Sequence, residues 1–266
     1  MIIDCHTHVF PDEVAQKAVD SIHAFANAIP VAVPTVPALL AHMAHSGVDR
    51  AVLCPVATKP AQVRGINDWL MGLEDERLIA FGAIHPHLED VAAELDRLEQ
   101  AGFKGLKLQP FFQNFELDDP ALMRLFELVD DRFAVLLHAG DELVPLPEIQ
   151  PTPERVAGLL DRFPRLRLIA AHAGGYKLWD EVEQHLVGRN LLFDISYTFG
   201  IAQNEQLHRI IEAHGHERVL WGSDFPWQAE DFTLRSLREL GLSQEALRAI
   251  LGGNFEREVL QRRQDS

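Results

Sequence analysis

The sequence predicts an α/β fold, a single (β/α)8 barrel, with residues 1–266 forming one domain. Three observations lead there. Eight short apolar runs recur along the chain, and amphipathic helical patterns separate them. No Gly/Ser-rich or Pro-rich linker divides the 266 residues, a length close to the roughly 250 typical of such barrels.

The strand candidates, in order, are IIDCHTHV, DRAVLCPVA, LIAFGAIHPH, GFKGLKLQP, FAVLLHAGD, LRLIAAHAGG, LLFDISYTF and RVLWGSDFPW. Their near-continuous Val, Ile, Leu and Phe content suits parallel strands buried on both faces. The segments LEDVAAELDRLEQAG, DDPALMRLFELVDD and TPERVAGLLDRF carry helical periodicity. Thr152 before Pro153 and Glu154 reads as an N-cap with proline at the first helical position. Gly102 closes the first of these helices as a C-terminal cap. An open doubly wound sheet is the competing fold. It would carry a glycine-rich phosphate turn after the first strand, where this chain has histidines.

Composition narrows the function. The chain is 47% hydrophobic and 24% charged, which is the profile of a soluble globular protein. Its 40 acidic and 24 basic side chains leave a net charge of −16, a surface that repels a phosphate backbone and argues against nucleic-acid partners. Two cysteines, Cys5 and Cys54, make no disulfide framework. With no signal-like N-terminus and no membrane-spanning apolar run, the expected location is the reducing cytoplasm.

Barrel chemistry sits at the C-terminal ends of the strands, and candidate metal ligands gather there. His6 and His8 end the first strand, His138 the fifth, His172 the sixth and Asp224 the eighth. Side chains at i and i+2 share one side of a strand, so His6 and His8 are expected to face the barrel axis, with Cys5 alternating away as a packed core thiol. Two imidazoles and a carboxylate suit zinc or a similar divalent ion. A lone H-x-H could equally be strand-end polarity. Its company at the other strand ends argues for metal.

These motifs resemble the amidohydrolase superfamily of TIM-barrel metal-dependent hydrolases, and within it the amidohydrolase-related branch typified by aminocarboxymuconate-semialdehyde decarboxylase. The resemblance runs through I-D-C-H-T-H, G-F-K-G-L-K-L, L-L-H-A-G, I-A-A-H-A-G-G, W-G-S-D-F-P-W and N-F-E-R-E-V-L, nearly the whole chain. It implies His6, His8, His138 and Asp224 as ligands of one divalent ion, zinc first and manganese second. It implies His172 as a catalytic or supporting histidine at the same centre, and it allows a homodimer. Asp224 beside a metal-bound water could both hold the ion and accept the water's proton.

Other residues compete for roles. His85 and His87 form a second H-x-H at the end of the third strand, but Pro86 turns the chain there, so a pocket-wall role is expected, with His85 the one to touch substrate. The fourth strand offers Lys107 and no acidic residue. Lys107 could be carbamylated, could meet a substrate carboxylate, or could sit in a buried ion pair. The missing acidic bridge argues against the two-metal nucleases of the superfamily. Asp194 and Ser196 are expected to orient a ligand histidine. Arg64 is a candidate anchor for a substrate carboxylate. Trp227, with Phe111, Phe112, Tyr197 and Phe199, either lines a slot for a planar substrate or packs helices on the barrel. The helix-borne His23, His42, His45, His185, His208, His214 and His216 read as solvated.

The expected activity is metal-dependent hydrolysis of an amide or lactone in a small, carboxylate-bearing molecule. Non-oxidative decarboxylation of an aromatic or dienoic acid is the alternative. Chain length tips the balance towards hydrolysis, because the decarboxylases are expected to carry long loop insertions. A non-catalytic binding role has no support in the residues.

Overall fold

A computed structural model describes residues 1–144 and 151–261. Among these, eight parallel strands follow one another around a ring. They are β1 (Ile3–Thr7), β2 (Arg50–Leu53), β3 (Leu78–Ala80, resuming after Phe81 as Gly82–Ala83), β4 (Gly105–Leu108), β5 (Ala134–Leu137), β6 (Arg167–Ala170), β7 (Leu192–Asp194) and β8 (Val219–Leu220). Each pairs with its sequence neighbour. The ring closes between β8 and β1 through Cys5 N–H on the Trp221 carbonyl at 3.0 Å and a parallel bridge between Thr7 and Phe225. Closure leaves no open edge. The fold is the (β/α)8 barrel that the strand rhythm predicts.

The helices on the outside are α1 (Asp12–Ala26), α2 (Val36–Ser46), α3 (Val63–Met71), α4 (Val91–Gln100), α5 (Pro110–Gln113), α6 (Pro120–Val129), α7 (Pro153–Arg162), α8 (Trp179–His185), α9 (Asn204–His214) and α10 (Glu230–Glu239). Their starts and stops are written locally. The Thr152 hydroxyl accepts from Arg155 N–H at the head of α7, with Pro153 at its first position. Gly102 follows α4 at φ 85°, a left-handed turn where a Cβ would be strained.

Strand alternation builds two apolar layers. Ile3, Val52, Ile79, Phe81, Leu136, Ile169 and Leu220 fill the barrel, joined by Phe255 and Val259 from the C-terminal segment. Residues one step along, such as Leu53, Leu106, Leu137 and Phe193, pack against the helices. The Phe81 ring fits because Gly105 on β4 has no side chain; a Cβ there would lie 2.4 Å from the ring. Fully burying such side chains contributes about 1.5–3 kcal/mol each.

Two sequence expectations need correction. Cys5 does not alternate away from the site but joins the barrel interior with Cys54. The pairing of β1 with β2 shifts register between Asp4 and Thr7, so simple alternation breaks down just where the histidines begin. His214 is not solvated either: it is fully buried, its ring stacked on Phe193 at 3.9 Å and both nitrogens hydrogen-bonded. Cys54 is buried as well, and burial pushes its thiol up to about 12.

Behind β1 lies an unusual pair of buried carboxyls. Asp4 Oδ1 accepts from the backbone N–H groups of His6 and Ser223, while Asp4 Oδ2 and both oxygens of Glu230 have no hydrogen-bond partner among the described residues. Burial, and then the charge of Asp4, raise the Glu230 carboxyl to about 9. The sign follows from linkage. The folded chain keeps a proton on Glu230 that the unfolded chain releases above its ordinary pKa of about 4.3, so stability is full below that value and is lost as pH rises towards 9. Glu230→Gln is therefore expected to raise Tm more at about pH 8.5 than at about pH 5 in paired thermal melts. An equal gain at both would show that Glu230 does not titrate with unfolding.

Candidate metal centre

The site lies at the C-terminal ends of the strands. One nitrogen of His6, one of His8 and one Asp224 oxygen lie within 4.8 Å of one another. Asp224 Oδ1 is 3.1 Å from His8 Nε2 and 3.5 Å from His6 Nε2. The loop beyond β8 carries Asp224 into place: its N–H bonds the His6 carbonyl at 2.9 Å, and its backbone adopts φ 66°. Such a left-handed conformation costs a non-glycine residue about 1–2 kcal/mol, and it is held here by the surrounding packing.

Hydrogen bonds decide which imidazole nitrogens face the centre. His6 Nδ1 donates to Asp194 Oδ2 at 2.6 Å, and His8 Nδ1 to the Cys54 carbonyl at 2.8 Å. Each ring therefore turns its Nε2 lone pair inwards. His8 Nε2 then faces a carboxylate oxygen, acceptor against acceptor, an arrangement that needs a cation or an added proton between them. Two imidazoles and a carboxylate so disposed fit a divalent ion.

Ser196 braces this arrangement. Its N–H and hydroxyl both donate to Asp194, fixing the carboxylate that holds His6. Burial raises the Asp194 carboxyl. Burial also raises that of Asp224, but His6, His8 and His172 beside it overcome this and lower it to about 2. Burial, then Lys107, lower His6 well below the ordinary histidine value, which keeps the ring neutral and its lone pair available.

Lys107, fully buried on β4, places Nζ 3.0 Å from His6 Nε2. Burial lowers its pKa. The His6 lone pair can serve a lysine proton or a metal ion, but not both at once.

His138 and His172 form a second group. His172 Nε2 and His138 Nδ1 stand 3.1 Å apart, His172 Nδ1 donates to the Ser196 carbonyl at 3.0 Å, and the His6 and His172 rings stack at 5.4 Å. His138 Nε2 faces the Asp141 carbonyl at 3.1 Å and Glu142 Oε1 at 3.2 Å. The structure thus brings His6, His8 and Asp224 together and sets His138 beside His172, outside that trio. Burial, and then His138, lower His172 to about 4, so it is neutral at neutral pH.

The other candidates sort by position. Trp227 is half-buried next to the centre, its N–H on the Asp224 carbonyl. His85 is buried at the end of β3, where its Nδ1 accepts from His87 N–H, and His87 pairs outward with Asp119. Arg64 is exposed on the first turn of α3. Phe199 is buried in the outer core, the packing role rather than the slot. Tyr176 and Tyr197 stand 6.0 and 6.5 Å from the His172 ring and 5.8 Å from each other.

The sequence assigns no role to Gln109, which directly follows β4, and carries no signal for Tyr176 or Glu142. Tyr176 lies four residues past His172, in the loop after β6. Glu142 follows His138 by four residues in a loop, a spacing without meaning until the turn is seen.

The profile of the amidohydrolase family matches residues 3–257, and the chain belongs to that family. No curated protein matches the sequence. Among solved structures it is similar to a dihydroxybenzoic acid decarboxylase from Polaromonas with bound manganese and 2-nitroresorcinol, at TM-score 0.75 and 19% identity over 99% of this chain and 98% of that one. It is similar to 5-carboxyvanillate decarboxylase from Sphingomonas paucimobilis, at TM-score 0.71 and 20% identity over 97% and 98% of the two chains. A 2,6-dihydroxybenzoate decarboxylase from Rhizobium gives TM-score 0.72 and 19% identity over 97% and 98%. These likenesses show a shared barrel. Among the described residues no helix is long and apolar enough to cross a membrane.

Elemental analysis of protein purified without chelator is expected to find about one divalent ion per chain. The His6→Ala, His8→Ala double variant is expected to lose it. Retention of full metal by that variant would remove the trio as the binding site.

Proposed function

We propose that this chain is a metal-dependent, non-oxidative decarboxylase of a small aromatic carboxylic acid. The observation that carries the reading is the aromatic wall beside the donor set: Tyr176 and Tyr197, tilted at 52° to each other, flank His172 next to the His6, His8 and Asp224 trio. Burial raises both phenols, so they stay neutral and present aromatic faces and hydroxyls rather than charge. A planar ring suits such a wall.

The similar solved enzymes whose activity is stated act on aromatic acids. The matches run over nearly the whole of those chains, which removes chain length as a reason to prefer hydrolysis. Hydrolysis of an amide or lactone then rests on the superfamily alone.

His6, His8 and Asp224 would hold the ion, with His138 as a fourth ligand. Manganese is the first choice because two of the similar decarboxylases carry it, and zinc the second. A bound divalent ion supplies Lewis acidity towards carboxylate and hydroxyl oxygens. Lys107, buried beside His6, meets the substrate carboxylate as an ammonium. Trp227, half-buried just past Asp224, would meet the substrate from that loop. The bond between the ring carbon and the carboxyl carbon breaks, its electron pair stays on the ring carbon, and carbon dioxide leaves. That carbon takes a proton at its face, relayed from solvent through His172 Nε2, which stands 3.1 Å from His138 Nδ1 while the Nδ1 of His172 is committed to the Ser196 carbonyl.

Hydroxylated benzoic acids should release carbon dioxide when offered beside lactones and amides, with gas and product measured separately. Hydrolysis of a lactone or amide without carbon dioxide release would overturn the reading. His172→Asn is expected to lower kcat by about 10²–10⁴ with metal content unchanged. A variant that loses metal as well would place His172 among the ligands.

A further inference from the structure

We infer that Glu142 is a positioning residue that, with the Asp141 carbonyl, holds the proton of His138 on Nε2 and so turns the Nδ1 lone pair towards His172. The inference rests on the metal-centre reading above. His6, His8 and His172 all commit Nδ1 to an outer acceptor: Asp194, the Cys54 carbonyl and the Ser196 carbonyl. His138 is reversed. Its Nε2 meets the Asp141 carbonyl and Glu142 Oε1, and its Nδ1 meets His172.

The direction of this chain is set from its far end. Phe112 N–H, a backbone amide, can only donate, and it donates to Gln109 Oε1 at 2.9 Å. That fixes the Gln109 side-chain amide with its nitrogen towards Glu142, at 2.5 Å from Oε1. Glu142 Oε1 therefore accepts from Gln109 and lies 3.2 Å from His138 Nε2, whose hydrogen bond goes to the Asp141 carbonyl at 3.1 Å. With the proton of the neutral ring on Nε2, its lone pair is on Nδ1.

The fold builds Glu142 into place from an unexpected quarter. After β5 the chain turns at Gly140, φ 92°, and pairs with the loop after β6: Tyr176 N–H bonds the Ala139 carbonyl, and Asp141 N–H the Tyr176 carbonyl. A Cβ on Gly140 would lie 2.1 Å from Tyr176 N. Lys177 Nζ then bonds the Glu142 carbonyl at 2.8 Å. The two His-Ala-Gly turns of the sequence thus lock against each other, and Glu142 returns to the histidine that opens the first of them. Glu142 is buried, so the bond is shielded from water.

The test compares Glu142→Leu, Glu142→Gln and Gln109→Leu with the parent protein, each loaded with zinc, which keeps the nitrogen spectra diamagnetic. Imidazole 15N NMR is expected to show the His138 proton on Nε2 in the parent and in Glu142→Gln, whose side-chain oxygen keeps the acceptor. In Glu142→Leu the two tautomers should mix, and zinc affinity by chelator competition should fall about 10- to 100-fold. The His6 and His8 spectra should not move. Gln109→Leu, which leaves Glu142 and the histidine intact, should move both readouts the same way by less, and it decides the matter if Glu142→Leu does not fold. Unchanged His138 tautomer and unchanged zinc affinity in the leucine variants would overturn the inference. Absence of carbon dioxide release by the parent would instead count against decarboxylation and leave the tautomer result standing.

Discussion

The structure of the site depends on one constraint: each imidazole has its outer nitrogen committed to a fixed acceptor. Asp194 holds His6, a backbone carbonyl holds His8, and another holds His172. Once those protons are placed, the remaining lone pairs have nowhere to point but inwards, towards Asp224 and towards each other. Acceptors crowded together in a buried place repel unless something positive sits among them. Lys107 on His6 Nε2 is one such cation, and a divalent ion is another. Metal affinity here arises less from the ligand types than from the outer hydrogen bonds that leave those ligands no alternative.

The barrel is what makes those outer bonds dependable. Asp194 ends β7, Cys54 follows β2 and Ser196 lies just past β7, all anchored in a closed sheet with a filled interior. The strain is concentrated where the chemistry is. Asp224, His172 and Tyr197 all adopt positive φ without being glycine. Conformations of that kind persist only where packing on both sides over-determines them, and each of these residues lies in the loop that follows a strand of the ring.

Much of this was legible in the residues. The strand rhythm foretold the barrel, and the rule that barrel chemistry gathers at strand C-termini led to His6, His8 and Asp224, which the fold brings together, and to His138, which it sets beside His172 instead. The cap at Thr152 and the stop at Gly102 were local, and local signals carry over. What failed were inferences that needed neighbours across the fold. Cys5 was misplaced because alternation assumes an unbroken register, and β1 shifts within its own length. His214 looked solvated on a helix because its stacking partner, Phe193, is far away in sequence. Glu142 was invisible because its reach back to His138 depends on two loops closing on each other.

The same dependence on neighbours bears on which bond the centre breaks. A donor set of two imidazoles and a carboxylate is common ground for hydrolysis and decarboxylation, so it cannot choose between them. The choice lies in what stands opposite. Hydrolysis calls for a base to take a proton from water, a role the Asp224 carboxylate could fill. Decarboxylation calls instead for a flat surface against the substrate ring and an acid at its face. On the proposed reading the tyrosine pair, 6.0 and 6.5 Å from the His172 ring, supplies the surface and His172 the acid.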